Sequence, residues 1–191
     1  MEFSHFTLQT MLDDHTSYPN ILWSHRLVIA LGVAYGLQSF HSQGCVMKDL
    51  TATSVLLRSD LSPFLMPVFA DLKVDISGTV KENSLNWNVP ESHVEGKLLT
   101  FKSDLYSFGN ILYSLLTRKI PFHGSSRFSI MGKMGGKERS PIPTDQADCP
   151  KGYCDLIKQC WSEEPKDRPD LKVVIQSLEA MQLLVTPKIV S

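Results

Sequence analysis

The sequence predicts a mainly α-helical domain with one small β-hairpin. Three observations carry that prediction. Apolar residues recur at three-and-four spacing along several long segments. Two short runs have the β-branched or apolar character of strands. Hydrophobic residues make up 42% and charged residues 20% of the 191, the balance of a chain that buries one core without help from disulfides or metals.

Taken in order, the segment from Ile21 to Gly44 places Leu27, Ala30, Leu31, Ala34 and Leu37 on one stripe and ends at a glycine suited to a C-cap, so it predicts a long core helix. The runs Ser54 to Leu57 and Pro67 to Ala70, separated by Ser59-Asp60-Leu61-Ser62-Pro63, predict a hairpin. Between Leu72 and Glu91 periodicity gives way to Ser, Asn, Lys and Gly, the composition of a surface loop. A second strong helix follows from Ser103 to Thr117, with Leu105, Phe108, Leu112, Leu115 and Leu116 on its buried face, Ser103 or Asp104 in its first turn and Pro121 barring continuation. Tyr153 to Trp161 and Pro169 to Leu184 predict two more helices and Phe128 to Met134 a shorter one. No internal repeat is visible.

Several function classes are excluded. Nineteen basic residues against 20 acidic ones leave a net charge of −1, which argues against a nucleic-acid or anionic-membrane partner. Cys45, Cys149, Cys154 and Cys160 match neither a CxxC pair nor a zinc ribbon, and the six histidines form no metal-binding set. Gly132-Lys133-Met134-Gly135-Gly136-Lys137-Glu138 has the wrong glycine spacing for a Walker A loop and follows no strand. No charged-then-apolar leader opens the sequence, and its longest apolar stretch, Leu27 to Leu37, is about half of what a bilayer span needs. The expectation is a reduced, cytoplasmic protein that does not insert into membranes.

Three motifs stand in a fixed order: Met47-Lys48-Asp49-Leu50-Thr51-Ala52-Thr53-Ser54-Val55-Leu56-Leu57, then Ala70-Asp71-Leu72-Lys73, then Trp87-Asn88-Val89-Pro90-Glu91. Each is weak alone. Together they resemble the catalytic loop (HRDLxxxN), the metal-binding DFG element and the APE element of protein kinases. Lys102-Ser103-Asp104-Leu105-Tyr106-Ser107-Phe108-Gly109 resembles the family's central-helix signature, and Cys160-Trp161 through Pro165, Arg168 and Pro169 its CW…P..RP signature. Met1-Glu2-Phe3 resembles a hinge, and Gly36-Leu37 through His41-Ser42-Gln43-Gly44 the approach to the catalytic loop. The resemblance spans Met1 to Met181 and is to the C-terminal, helical lobe of the tyrosine-kinase-like group. It implies one domain over residues 1–191, a C-terminal lobe with the N-terminal lobe absent.

The resemblance also implies roles. Asp49 stands where a carboxylate accepts the substrate hydroxyl's proton, and Asp71 where one holds Mg²⁺ against the ATP phosphates. Leu56 lies at a nucleotide-binding position, and Ser54 at the second metal position, where the family has an asparagine and a serine is the shorter, poorer ligand. Glu91 and Arg168 resemble an ion pair that pins the activation segment, and Asp104 belongs to the same structural set.

Other positions depart from the pattern. Thr51 replaces a phosphate-contacting lysine, so transition-state charge loses a stabiliser. Lys73 replaces the glycine that frees the metal loop. Met47 and Lys48 replace histidine and arginine, and a lysine cannot make the bidentate grip of an arginine. The chain opens at the hinge-like residues, without a Gly-rich loop or phosphate-pairing lysine. Packing positions stay apolar while charge-handling positions drift.

Three readings follow. One is a pseudokinase-type interaction module that presents its activation segment and the surface around Phe128 to Lys137 to other proteins, an active kinase among them. Another is a divergent ATP- and Mg²⁺-dependent kinase using Asp49 and Asp71. The third is a fragment of a larger kinase-like protein with an exposed cleft face around Val55, Leu56 and Leu57. Ser77, Thr79 and Ser84 are potential phosphorylation positions in the activation segment.

Overall fold

The computed structural model describes residues 6–66, 85–87, 89–93, 98–135, 137–143 and 148–185. The chain opens with strand β1 (Phe6–Thr7) and helix α1 (Leu8–Asp13), neither of them expected from the sequence. Thr7 caps α1 by accepting the Thr10 amide at 3.1 Å, and Leu8, Met11 and Leu12 all face the core. Helix α2 (Trp23–Ser42) agrees with the predicted core helix, and Gly44, just beyond it, adopts the left-handed φ of 74° that lets the chain turn away.

The hairpin exists, but its second strand lies earlier than predicted. Strand β2 (Val55–Leu57) pairs antiparallel with β3 (Pro63–Leu65), Leu56 opposite Phe64, and β1 adds a third strand on the other side, with Phe6 opposite Leu57. The reason is local. The Arg58 and Ser62 backbones close a tight turn, Leu61 takes φ 63°, and the Asp60 carboxylate accepts the Ser62 amide at 2.9 Å. Pro63 then begins the strand, where its missing N–H costs nothing. Residues 67–70 lie outside the described residues.

Helix α3 (Phe101–Thr117) is the hub of the domain. Predicted as one-faced, it is buried on every side from Ser103 to Leu116, and Ser103, Asp104, Ser107 and Asn110 on it find hydrogen-bond partners inside the protein. It ends at Arg118 in a left-handed C-cap, φ 57°, three residues before Pro121. Helices α4 (Arg127–Gly135), α5 (Tyr153–Cys160) and α6 (Leu171–Val185) match the remaining predictions to within a few residues. α2 packs against α3, α6 and β3, while α3 packs against α2 and α5.

Two arginines stitch this core through backbone carbonyls. Arg26 donates to the carbonyls of Leu115 (2.7 Å) and Leu116 (2.8 Å), satisfying the end of α3 from the start of α2. Arg118 donates to the carbonyls of Tyr18 (2.5 Å), Asp14 (3.1 Å), Met11 and Leu12 (both 3.2 Å), holding α1 against the end of α3.

Close packing at two glycines gives a prediction of opposite signs. A Cβ at Gly109 on α3 would sit 2.9 Å from both Cys160 Cβ and Trp161 Cδ1, whereas one at Gly132 on α4 would meet nothing within 4 Å. Gly109→Ala is expected to destabilise by about 1–3 kcal/mol through overpacking. Gly132→Ala is expected to stabilise by about 0.4–1 kcal/mol through reduced unfolded-state freedom. Urea denaturation of the two variants checks both signs.

Candidate functional site

The loop from Met47 to Ser54 joins α2 to β2 and carries two of the described candidate residues, Asp49 and Ser54. Met47 anchors it, 5% exposed in the core, and Leu50 and Ala52 are buried beside it. Lys48 sits at φ 63°, a left-handed conformation that costs a side-chain-bearing residue about 1–2 kcal/mol unless neighbours hold it.

Asp104, in the first turn of α3, supplies that hold. Its Oδ2 accepts the Met47 amide at 2.9 Å and its Oδ1 the Lys48 amide at 3.0 Å. His41 Nε2, at the end of α2, lies 2.8 Å from the same Oδ2. One carboxylate therefore joins the end of α2, the start of α3 and the strained turn. The bend carries Asp49 to an exposed position, with its amide donating to the Met47 carbonyl at 2.7 Å.

At the far end of the loop, Ser54 is 5% exposed and its hydroxyl faces inward. It accepts the Thr51 amide at 3.0 Å and donates to the Thr51 carbonyl at 2.9 Å, closing a one-turn clasp within the loop. The side chain of Thr51, 7% exposed, meets that of Thr53 at 2.8 Å. A hydroxyl spent on its own backbone has its donor and one acceptor position in use, which makes it a poor fit for the oxygen shell of Mg²⁺. Leu56 is half-buried on β2, between Thr7 and Phe64 of the flanking strands, while Val55 and Leu57 point into the core. Asp71, Leu72, Lys73, Ser77, Thr79 and Ser84 lie outside the described residues, as do Asn88 and the hinge-like Met1-Glu2-Phe3.

Among the described residues Glu91 and Arg168 form the most completely buried charge pair, at 4% and 2% exposure. Arg168 donates to Glu91 Oε1 at 2.7 Å and to Oε2 at 2.8 Å, the bidentate fork that arginine geometry favours. Its remaining N–H groups go to the carbonyls of Ser162 (3.0 Å), Lys102 (2.8 Å) and Glu163 (3.3 Å), so all five donors are engaged. The Ser103 hydroxyl donates to Glu91 Oε1 at 2.8 Å. Burial on its own would raise the Glu91 pKa, but the hydrogen bonds from Arg168, the backbone and Ser103 outweigh it and hold the carboxyl below its usual value. Beside the pair, the guanidinium groups of Arg168 (5.0 Å) and Arg139 (5.3 Å) both lie over the Tyr106 ring.

The segment of Trp87 and Val89 is fastened from the same helix. Asn110 on α3 donates to the Trp87 carbonyl at 3.3 Å and accepts the Trp161 indole N–H at 2.9 Å. The structure thus gathers Asp49, Ser54, Leu56 and Asp104 around one loop, and pairs Glu91 with Arg168 apart from it. Sequence reasoning missed the anchoring roles of Arg26 and Arg118, and that of His41 toward Asp104. A basic residue at each end of a helix pair was the available signal for the arginines. Among the described residues no group of three or more His, Cys, Asp or Glu side chains could hold a metal ion, and no helix is long and apolar enough to cross a membrane.

This arrangement agrees with comparisons to known proteins. Serine/threonine/tyrosine-protein kinase HT1 of Arabidopsis thaliana is 33% identical over 156 residues, covering 80% of this chain and 39% of that protein. The probable inactive serine/threonine-protein kinase roco10 of Dictyostelium discoideum is 30% identical over 200 residues, covering 95% of this chain and 7% of its own length. The human tyrosine-protein kinase FRK is 29% identical over 183 residues, covering 92% of this chain and 35% of its own. The chain thus spans less than half the length of these relatives. Its match to the family described as protein tyrosine and serine/threonine kinase runs over residues 1–178 and takes in the Asp104-braced loop and the Glu91–Arg168 pair, and the chain belongs to that family.

Proposed function

We propose that this chain is a catalytically impaired protein-kinase domain that serves as a protein-interaction or signalling module in the cytoplasm. The observation that carries this reading is the inward clasp of Ser54 on Thr51, which spends on loop structure the side chain at the second metal position. The sequence departures at Thr51 and Lys73 point the same way. So does α4, where Phe128 is 86% and Met131 49% exposed next to the basic Lys133, an apolar surface available to a protein partner, an active kinase among the candidates. Any surviving nucleotide binding would place ATP over Leu56 and Mg²⁺ at Asp71.

Thermal unfolding with and without millimolar ATP and Mg²⁺ tests the reading. A ligand at about 100 times its dissociation constant stabilises by about 2.7 kcal/mol, so binding is easily seen. The expected outcome is an unchanged Tm. A metal-dependent rise would overturn the non-binding form of the proposal.

One observation favours a second reading, a divergent ATP-dependent protein kinase that uses Asp49 and Asp71. The Asp104 brace keeps the Lys48 turn in its strained form and Asp49 exposed beyond it, as a proton-accepting carboxylate requires. Phosphotransfer to protein hydroxyls that is lost in Asp49→Asn would select this reading over the first.

A further inference from the structure

Cys149 and Cys154 have no place in the kinase-like site, yet their sulfurs lie 3.9 Å apart. All four cysteines are free thiols, and this pair differs from the other two: Cys45 is exposed and Cys160 fully buried, while Cys149 and Cys154 are both half-buried against the core. The backbone between them is built to bring them together. Tyr153 donates its amide to the Pro150 carbonyl at 3.0 Å, and Gly152 takes φ 90°, so the chain reverses before α5 and sets both side chains on the same side. The turn rests on firm neighbours. Tyr153 is buried edge-on against Trp23 at 4.9 Å and donates its hydroxyl to the Leu112 carbonyl at 3.1 Å.

We propose that Cys149 and Cys154 form a reversible intramolecular disulfide in response to a hydroperoxide, a thiol switch at the entry to α5. A shift of about 2 Å in sulfur separation takes the pair to bonding distance, which is about 2.05 Å. Burial, reinforced by the neighbouring Cys154, pushes the Cys149 thiol up, and the 3.9 Å separation lets whichever sulfur is oxidised first be met by the other. In the first step the thiolate of one cysteine bonds to one peroxide oxygen, the O–O bond breaks and hydroxide leaves, giving a sulfenic acid. The sulfur of the other cysteine then attacks the oxidised sulfur, the S–S bond forms, the S–O bond breaks, and the attacking thiol's proton departs with that oxygen as water. Two thiols lose two electrons and hydrogen peroxide becomes two waters. Transient disulfides of this kind are the ones that occur in reducing compartments.

The sequence supplies a direct readout. Trypsin cleaves after Arg139, Lys151 and Lys158, so the two cysteines fall in separate peptides, Ser140–Lys151 and Gly152–Lys158. The reduced 191-residue chain is titrated with hydrogen peroxide, its remaining thiols are alkylated, and monomer from a non-reducing gel is digested. The expected product is the two peptides joined, two hydrogens lighter than their sum, regenerated singly by dithiothreitol and unaffected by Cys45→Ser. Cys149→Ser and Cys154→Ser, each with its folding checked by Tm, should both abolish the joined species. Recovery of both peptides separately alkylated at doses that have already oxidised Cys45 overturns the proposal, as does joining found only in a dimer.

Discussion

Arg168→Met is expected to lower the unfolding free energy by about 3–5 kcal/mol, the cost of leaving one member of a buried ion pair without its partner. For a domain at the low end of the usual range of about 5–15 kcal/mol, that is enough to unfold a large fraction of the chain. The size of the effect follows from what the methionine leaves behind. Glu91 retains only the Ser103 hydroxyl and backbone contacts, and the carbonyls of Ser162, Lys102 and Glu163 each lose a donor. Arg168→Lys should recover only part of the loss, since an ammonium cannot span both carboxylate oxygens and reach three carbonyls. Urea denaturation of Arg168→Met, Glu91→Gln and the double variant measures the coupling directly. The double variant is expected to lose clearly less than the two single losses added. Additive losses would mean that the pair is not a functional unit.

The same pair sets a pH dependence. The Glu91 pKa in the folded chain lies below its usual value of 4.5, so the folded state favours the charged form. The contribution to stability is therefore complete above about 4.5, the unfolded value, and is lost as pH falls through the lower, folded value. Wild type should show a fall in stability between pH 5 and more acidic conditions that Glu91→Gln, already lacking the charge, does not reproduce in full. Parallel pH profiles for the two proteins would remove Glu91 from the account.

How far the sequence carried these conclusions depended on the range of the interaction. α2, α5 and α6 were legible because their apolar spacing is local, and the Leu27-to-Leu37 stripe alone marks a helix. Strand β3 was misplaced because Pro63 was read as part of a turn, when its ring suits the first position of a strand on the sheet's outer side. α1 escaped notice although Leu8, Met11 and Leu12 have helical spacing behind a Thr7 cap; six residues are too few for the pattern to stand out. The Glu91–Arg168 pair was anticipated through the family signatures and lies where they imply. The inward turn of Ser54 was not legible, because a serine hydroxyl serves equally well as a ligand or as a backbone clasp and only the loop geometry decides. Nor was the Asp104 hub, whose partners at His41, Met47 and Lys48 lie some sixty residues away in sequence.

Asp104→Ala is the second large effect, with an expected loss of about 2–4 kcal/mol, since each buried N–H left without an acceptor costs about 1–3 kcal/mol. The Met47 amide is buried and the Lys48 amide half-buried, and both face the Asp104 carboxylate, itself 1% exposed. Asp104→Asn preserves the shape but replaces one of the two acceptor oxygens with an NH₂ that confronts an N–H donor or turns His41 away. It should therefore fall close to the alanine variant, whereas a role in packing alone predicts near-complete rescue. Hydrogen exchange separates the two. Loss of the carboxylate should expose the Met47 and Lys48 amides to rapid exchange while amides around Arg168 stay protected, and unchanged exchange at Met47 would exclude the brace. Lys48→Gly, introduced into Asp104→Ala, removes the steric cost of the left-handed turn. Partial recovery of stability there would show that the carboxylate works by holding strained backbone, and hence that the exposed position of Asp49 depends on a residue 55 positions away in the sequence.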